Sequence, residues 1–357
     1  MKNVLTIFIL SLTFLSQSCN STSKTTTTAV SPTSKKGIEL IADPSNKKVE
    51  VFMDGQLFTA YCYPENIAKP VLYPLITASG TRLTRGFPLE PVAGERVDHP
   101  HHVGLWLNYG DVNELDFWNN SEAIPAEKKK NYGTIYHQDI VAAKSGIDKG
   151  ELRVKAVWKT HEGKTLLNEA TTFVFTKSGN TRAIERTTTL TAIDQEVNFK
   201  DNKEGMIGIR VTRAMEIPSK EPAIFTDAQG NPTEVKALNN EGVKGNYISS
   251  EGKEGDAVWA TRGKWVQLQS EINGEPVAIA ILDHPKNVGY PTYWHARGYG
   301  LFAANPLGQA IFSEGKETLN FKLKAGESVT FRYKILVHSG SKWSKTDLDN
   351  AFAAFSK

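Results

Sequence analysis

Val329-Thr-Phe-Arg-Tyr-Lys-Ile-Leu-Val337 sets Val329, Phe331, Tyr333, Ile335 and Val337 at every second position, with Thr330, Arg332 and Lys334 between them. Successive side chains of a strand point to opposite faces, so this stretch is expected to be half-buried and extended. The same period runs through Leu152, Val154, Ala156 and Trp158, which alternate with Arg153, Lys155 and Lys159, and through Ile184 to Leu190. Asp54-Gly55, Ser178-Gly-Asn180 and Ala325-Gly-Glu327 supply turn chemistry between runs. Antiparallel hairpins follow, and with no helices alternating between strands the expected fold is all-β: a large antiparallel two-sheet sandwich. Only the end of the chain is helical in pattern. Over 344–355, Leu348, Ala351, Phe352 and Phe355 share one face, Ser344 with Asp347 makes a capping box, and the helix is expected to close an edge or face of the sheets. The stretches 117–132 and 219–255 lack periodicity and are expected to be functional loops of a single domain, 37–357, without internal repeats.

Outside that domain, Lys2, the apolar run Val4 to Leu15 and Ser16-Gln-Ser-Cys19 resemble a bacterial lipoprotein leader, 1–19. Cys19 would then carry the lipid, residues 20–36 would be a flexible tether, and the protein would face the periplasm, held at the outer membrane by its lipid anchor only. Cys62 is the only other cysteine, so no intrachain disulfide remains once Cys19 is lipidated; a small buried hydrophobe is its simplest role. The 42 Lys and Arg against 39 Asp and Glu give a net charge of +3 without a basic patch, and nucleic acid is not an expected partner.

Chemistry concentrates in Asp98-His-Pro-His-His102, which holds three of the eight histidines. If extended, His99 and His101 share one face and His102 takes the other, while Pro100 favours a strand end or loop at a cleft. One reading makes His99 and His101 ligands of one divalent metal ion, completed by Glu90, Glu95, His284 or His295. Another uses the imidazoles as general acids and bases beside a carboxylate, and a third leaves them bonding backbone carbonyls. A second group, Asp283-His284-Pro285 with Tyr290, Tyr293, Trp294, His295, Arg297 and Tyr299, combines acid, base, cation and flat rings, the components that hold a sugar. Arg82 and Arg85 could clamp an anion or form ion pairs. Asp111 and Asp116 could be carboxylate partners or end strands, and Trp106 and Trp118 could be platforms or core. His137, His161 and His338 lie in strand-like runs and read as structural.

Tyr73-Pro-Leu-Ile-Thr-Ala-Ser-Gly80, Arg85-Gly-Phe-Pro88, Asp98-His-Pro-His-His102, Gly104-Leu-Trp106, Gly110-Asp-Val-Asn113, Asp116-Phe-Trp118 and Tyr293-Trp-His295 together resemble the PmoA-like family of bacterial proteins of unknown function, over about residues 60 to 340. The family name points to a membrane subunit of methane monooxygenase. That protein spans the membrane several times as helices, and past its leader this chain lacks an 18-residue apolar stretch, so methane oxidation is rejected. The resemblance implies a galactose-mutarotase-like supersandwich, a fold whose members mostly act on sugars. The expectation is therefore a carbohydrate-active enzyme for a sugar or sugar derivative, with epimerase, lyase and hydrolase chemistry open. His99, His101, His102, His284, His295, Glu90 and Asp283 are its candidate acid-base groups, and Arg85, Trp106, Trp118, Tyr293, Trp294 and Arg297 its candidate binding groups. A non-catalytic glycan-binding lipoprotein is the alternative, and a metal-dependent oxidoreductase ranks third.

Overall fold

The computed structural model describes residues 36–357; the leader, Cys19 and the tether up to residue 35 lie outside the described residues. Two eight-stranded antiparallel sheets dominate. In spatial order the first is built from Ile38–Asp43, Lys48–Met53, Gln56–Cys62, Val71–Leu72, Leu105–Leu107, Ile207–Arg210, Leu301–Asn305 and Tyr293–Arg297. The second runs Asn246–Ser249, Trp265–Ile272, Glu275–Leu282, Ser328–Ser339, Thr181–Ala192, Thr165–Ser178, Lys149–Lys159 and Thr134–Lys144. The expected all-β sandwich is what the chain forms.

The alternating runs behave as their period requires. Leu152, Val154, Ala156 and Trp158 are buried, as are Phe331, Tyr333, Ile335 and Val337, and they share one apolar cluster with Val49, Val51, Leu105, Leu107, Ile207 and Ile209 of the facing sheet. In Thr181–Ala192 the inward set also includes Arg186 and Thr188. These survive burial because Arg186 pairs with Glu169 at 3.1 Å, and Glu169 accepts the indole N–H of Trp158 at 2.8 Å.

The last helix, Lys345–Phe355, has the expected cap: Ser344 Oγ accepts from the Asp347 backbone N–H while Asp347 accepts from that of Ser344. Its Leu348 packs on Trp265, Ala280, Leu282 and Leu336, so the helix covers the outer face of the second sheet. The stretch 219–255 is less irregular than its sequence implies. It contains the hairpin Ala223–Thr226 with Pro232–Val235 and the edge strand Asn246–Ser249. The strand Pro232–Val235 is largely exposed, and in Ala223–Thr226 it is the adjacent Phe225 and Thr226 that are buried, so neither carries an apolar period.

The first sheet positions the candidate site. Leu105, Leu107, Ile207, Ile209, Trp294, Ala296, Phe302 and Ala304 turn into the inter-sheet core. By alternation Trp106, Gly208, Arg210, Ala303, His295 and Arg297 lie on the opposite, outer face. Register aligns them: Gly208 stands opposite both Trp106 and Ala303, and Ala303 opposite His295.

Candidate functional site

The row Trp106, Gly208, Ala303, His295 is the floor of the site. A Cβ on Gly208 would come within 2.7 Å of Trp106 Cζ2 and 3.0 Å of Trp118 Cη2, so glycine lets two indoles lie down on the sheet. On this floor stands a column of parallel rings. His102 stacks on Trp106 with centroids 5.3 Å apart, His99 on His102 at 4.8 Å, and Tyr299 on His99 at 5.1 Å. His101 meets both neighbouring imidazoles edge-on.

The loop that carries these rings is built around cations. Its backbone turns sharply, with His99 at a φ of 45° and the His102 N–H donating to the His99 carbonyl at 2.9 Å. The guanidinium of Arg85, wholly buried, donates to the carbonyls of Asp98 (2.7 Å), His99 (3.0 Å) and His102 (2.9 Å), and to the Asp98 carboxylate (2.8 Å). Lys69 Nζ takes the His101 carbonyl at 2.7 Å. A second buried guanidinium, Arg210, reaches the same oxygen of Asp98 and lies over the Tyr299 ring.

Asp98 and His99 form a dyad. Burial works to raise the pKa of Asp98, but the hydrogen bond from His99 and the guanidiniums of Arg210 and Arg85 outweigh it and hold the carboxyl well below the usual range. Its second oxygen lies 3.0 Å from His99 Nδ1. An ionised carboxylate accepts the Nδ1 proton, which leaves Nε2 of His99 as the free nitrogen. The His99 side chain is 40% exposed and Tyr299 is half-buried, whereas His102 and Trp106 below them are buried.

The remaining histidines of the site are held neutral. Burial first, then the charge of Lys69, pushes His101 down to about 2. Burial first, then the charges of Arg297 and Lys203, takes His295 to about 3. His295 Nδ1 donates to the Lys203 carbonyl at 3.1 Å and lies 3.8 Å from Glu204 Oε2. Burial raises the pKa of Glu204, with the Asp116 carboxylate adding to the effect and Lys203 opposing it. His295 and Glu204 thus lie side by side, with His295 on the outer face that also carries Arg297. Beside them opens a cleft of about 500 Å³ that includes Asp98, Arg96, Trp259, Arg297 and Tyr299. Trp259 is 39% exposed, and Arg297 lies over both it and Tyr299.

Of the expected residues, His99, His101, His102, His295 and Arg297 gather here, and several do not. Asp283 is buried under its own loop, accepting from Asn287 Nδ2 at 2.7 Å and from the Thr292 N–H at 2.9 Å, and burial raises it to about 7. His284 meets Phe355 of the last helix edge-on, on the second sheet; the repeated Asp-His-Pro is a loop brace there. Trp294 belongs to the inter-sheet core because it neighbours His295 on a strand and must face the other way. Glu90 is drawn to Tyr73 and Arg82 on an exposed loop. Arg85 holds the loop instead of offering a clamp, Trp106 and Trp118 are buried floor, and Tyr293 is buried beneath Arg262. Among the described residues no three His, Cys, Asp or Glu side chains converge as a metal set. Lys69, Glu204, Arg210 and Trp259 were not singled out in the sequence. Only Arg210 carries a local signal, as a lone cation inside the apolar run Met206 to Val211.

Compared with curated proteins, the chain finds no match. Among solved structures it is similar to galactose 1-epimerase from Lactobacillus acidophilus, with 10% identity, 85% of this chain and 98% of that one covered, and a TM-score of 0.34. An alpha-galactosidase from Geobacillus stearothermophilus gives 10% identity, coverage of 85% and 41%, and a TM-score of 0.37. The galactosidase domain of an alpha-galactosidase-sucrose kinase gives 10%, 84% and 42%, and 0.38. The chain spans about two fifths of the length of these two galactosidase chains. A family model matches residues 48–353, and the chain belongs to that family, a family of unknown function designated DUF6807.

Proposed function

We propose that this protein is a carbohydrate-active enzyme that binds a sugar or sugar derivative in the cleft beside Asp98 and Tyr299 and moves a proton with His99. The observation that carries this reading is the dyad: a carboxylate fixed by two buried guanidiniums orients a half-exposed imidazole whose Nε2 is free. Trp259, 39% exposed, offers a ring to the apolar side of a pyranose, while Tyr299 lines the cleft and Arg96 and Arg297 supply donors for the sugar hydroxyls. Neutral His295, its Nδ1 proton given to the Lys203 carbonyl, can accept one hydrogen bond at Nε2, and Glu204, held toward its acid form, can return a proton to the substrate. Epimerisation, elimination and hydrolysis share such a proton transfer, and the substrate decides among them.

The deciding experiment is turnover across a panel of aldoses, keto-sugars and glycosides. His99→Ala should lower kcat by about 10²–10⁴-fold on any substrate found. If no sugar turns over, and glycans bind equally well to His99→Ala but not to Trp259→Ala, the protein is a glycan-binding module. In this proposal a lipid on Cys19 anchors the chain, so Cys19→Ser should release it from the membrane fraction.

A further inference from the structure

The histidine loop borders a second cavity, of about 240 Å³, that shares no lining residue with the cleft. Ile67, Phe87, Pro88 and Val103 give it an apolar wall. Three polar groups on its lining have bonding capacity to spare. The buried hydroxyl of Ser121 has no partner. Neither ring nitrogen of His101 hydrogen-bonds to another described residue. The amine of Lys69 makes one hydrogen bond, to the His101 carbonyl, and burial lowers its pKa to about 7.

Buried polar atoms in folded proteins are ordinarily partnered, and three spare donors around one apolar hollow call for a compact acceptor with an apolar remainder. A carboxylate has about four acceptor positions on two oxygens, enough to meet an ammonium, a hydroxyl and an imidazole N–H together. Glu122 is the only carboxylate on the lining, and it is exposed. We propose that this cavity binds a short-chain monocarboxylate, its carboxylate held by Lys69, His101 and Ser121 and its alkyl end against Ile67, Phe87, Pro88 and Val103. Such an occupant would share Lys69 with the His101 carbonyl and so touch the framework of the histidine loop. The site is independent of what turns over in the cleft.

Titration calorimetry of the full chain with acetate and butyrate tests this. Butyrate should bind saturably and roughly tenfold tighter than acetate, because two more methylenes are buried. Lys69→Met should weaken butyrate by roughly tenfold or more. Because Lys69 is buried, a second variant guards against misfolding: Ala123→Trp, at an exposed position on the lining, leaves the amine in place, closes the mouth and should abolish binding. No saturable binding of butyrate, equal affinity for acetate and butyrate, or butyrate binding unchanged in Ala123→Trp would each overturn the proposal.

Discussion

Nη1 of Arg210 lies 3.1 Å from Nδ1 of His102. A guanidinium has donors only, so this ring nitrogen must accept and the imidazole proton must sit on Nε2. Burial, reinforced by His101 and Arg210, holds the pKa of His102 well below its ordinary value. Nitrogen-resolved NMR should therefore show one ring that keeps the Nε2–H tautomer as the pH falls through the ordinary histidine range. Conversion of that ring to imidazolium near pH 6 would contradict the assignment.

Acid should weaken the fold earlier than carboxylate chemistry alone predicts. In the unfolded chain His101, His102 and His295 titrate near about 6.5. In the folded chain burial depresses all three, His295 to about 3 and His101 to about 2. As pH falls below about 6.5 the unfolded state takes up protons that the folded state refuses, so stability present above that pH is lost on the way down. Asp98, also depressed, adds its loss at lower pH. Buried Asp283, raised to about 7, acts in the opposite sense, since its stabilising proton is lost as pH rises toward that value. His137, His284 and His338 are depressed in the same sense as the three histidines, and Asp111, Asp116, Glu204 and Glu216 are raised in the sense of Asp283. Because the unfolded carboxyls take up protons only near about pH 4, the histidines should dominate and urea midpoints should fall between pH 7 and pH 5; a flat profile over that interval would refute the balance.

Arg85→Met should cost about 3–5 kcal/mol, because it leaves three loop carbonyls around an empty centre and takes one of its two guanidinium partners from the Asp98 carboxylate. Chemical denaturation measures this directly. Arg85→Lys should recover only part, since an ammonium cannot reproduce the planar fork.

Gly208→Ala should destabilise by about 1–3 kcal/mol through overpacking against Trp106 and Trp118. Near-ultraviolet circular dichroism should change with it, as both indoles lose their seats. A variant with wild-type stability and spectrum would mean that the floor is looser than its contacts imply.

The strands 149–159 and 328–339 and the capped last helix were legible because each is a local pattern with one buried face. The inward turn of Arg186 and Thr188 was not, since polar residues on a buried face depend on partners such as Glu169 from another strand. The site was legible where chemistry clusters in sequence, at Asp98 to His102. Applying the two-residue period to Tyr293-Trp-His295 would have separated Trp294 from His295 without a structure. Glu204 and Trp259 owe their places to strand pairing and loop closure across the sheet, for which nothing in their own neighbourhoods speaks. The two Asp-His-Pro tripeptides show the converse: identical letters, one wrapped around Arg85 and one bracing a loop through Asn287 and Thr292.

A loop whose carbonyls all but one face inward, onto two positive charges, owes its course to its backbone and to the Asp98 carboxylate, not to its exposed ring. The half-exposed ring at 99 is therefore a replaceable fitting on a rigid chassis, while the ring at 102 is part of the packing beneath it. Descendants of this protein, natural or made in the laboratory, could exchange an imidazole for a carboxamide, thiol or phenol there and acquire a different chemistry without learning a new fold.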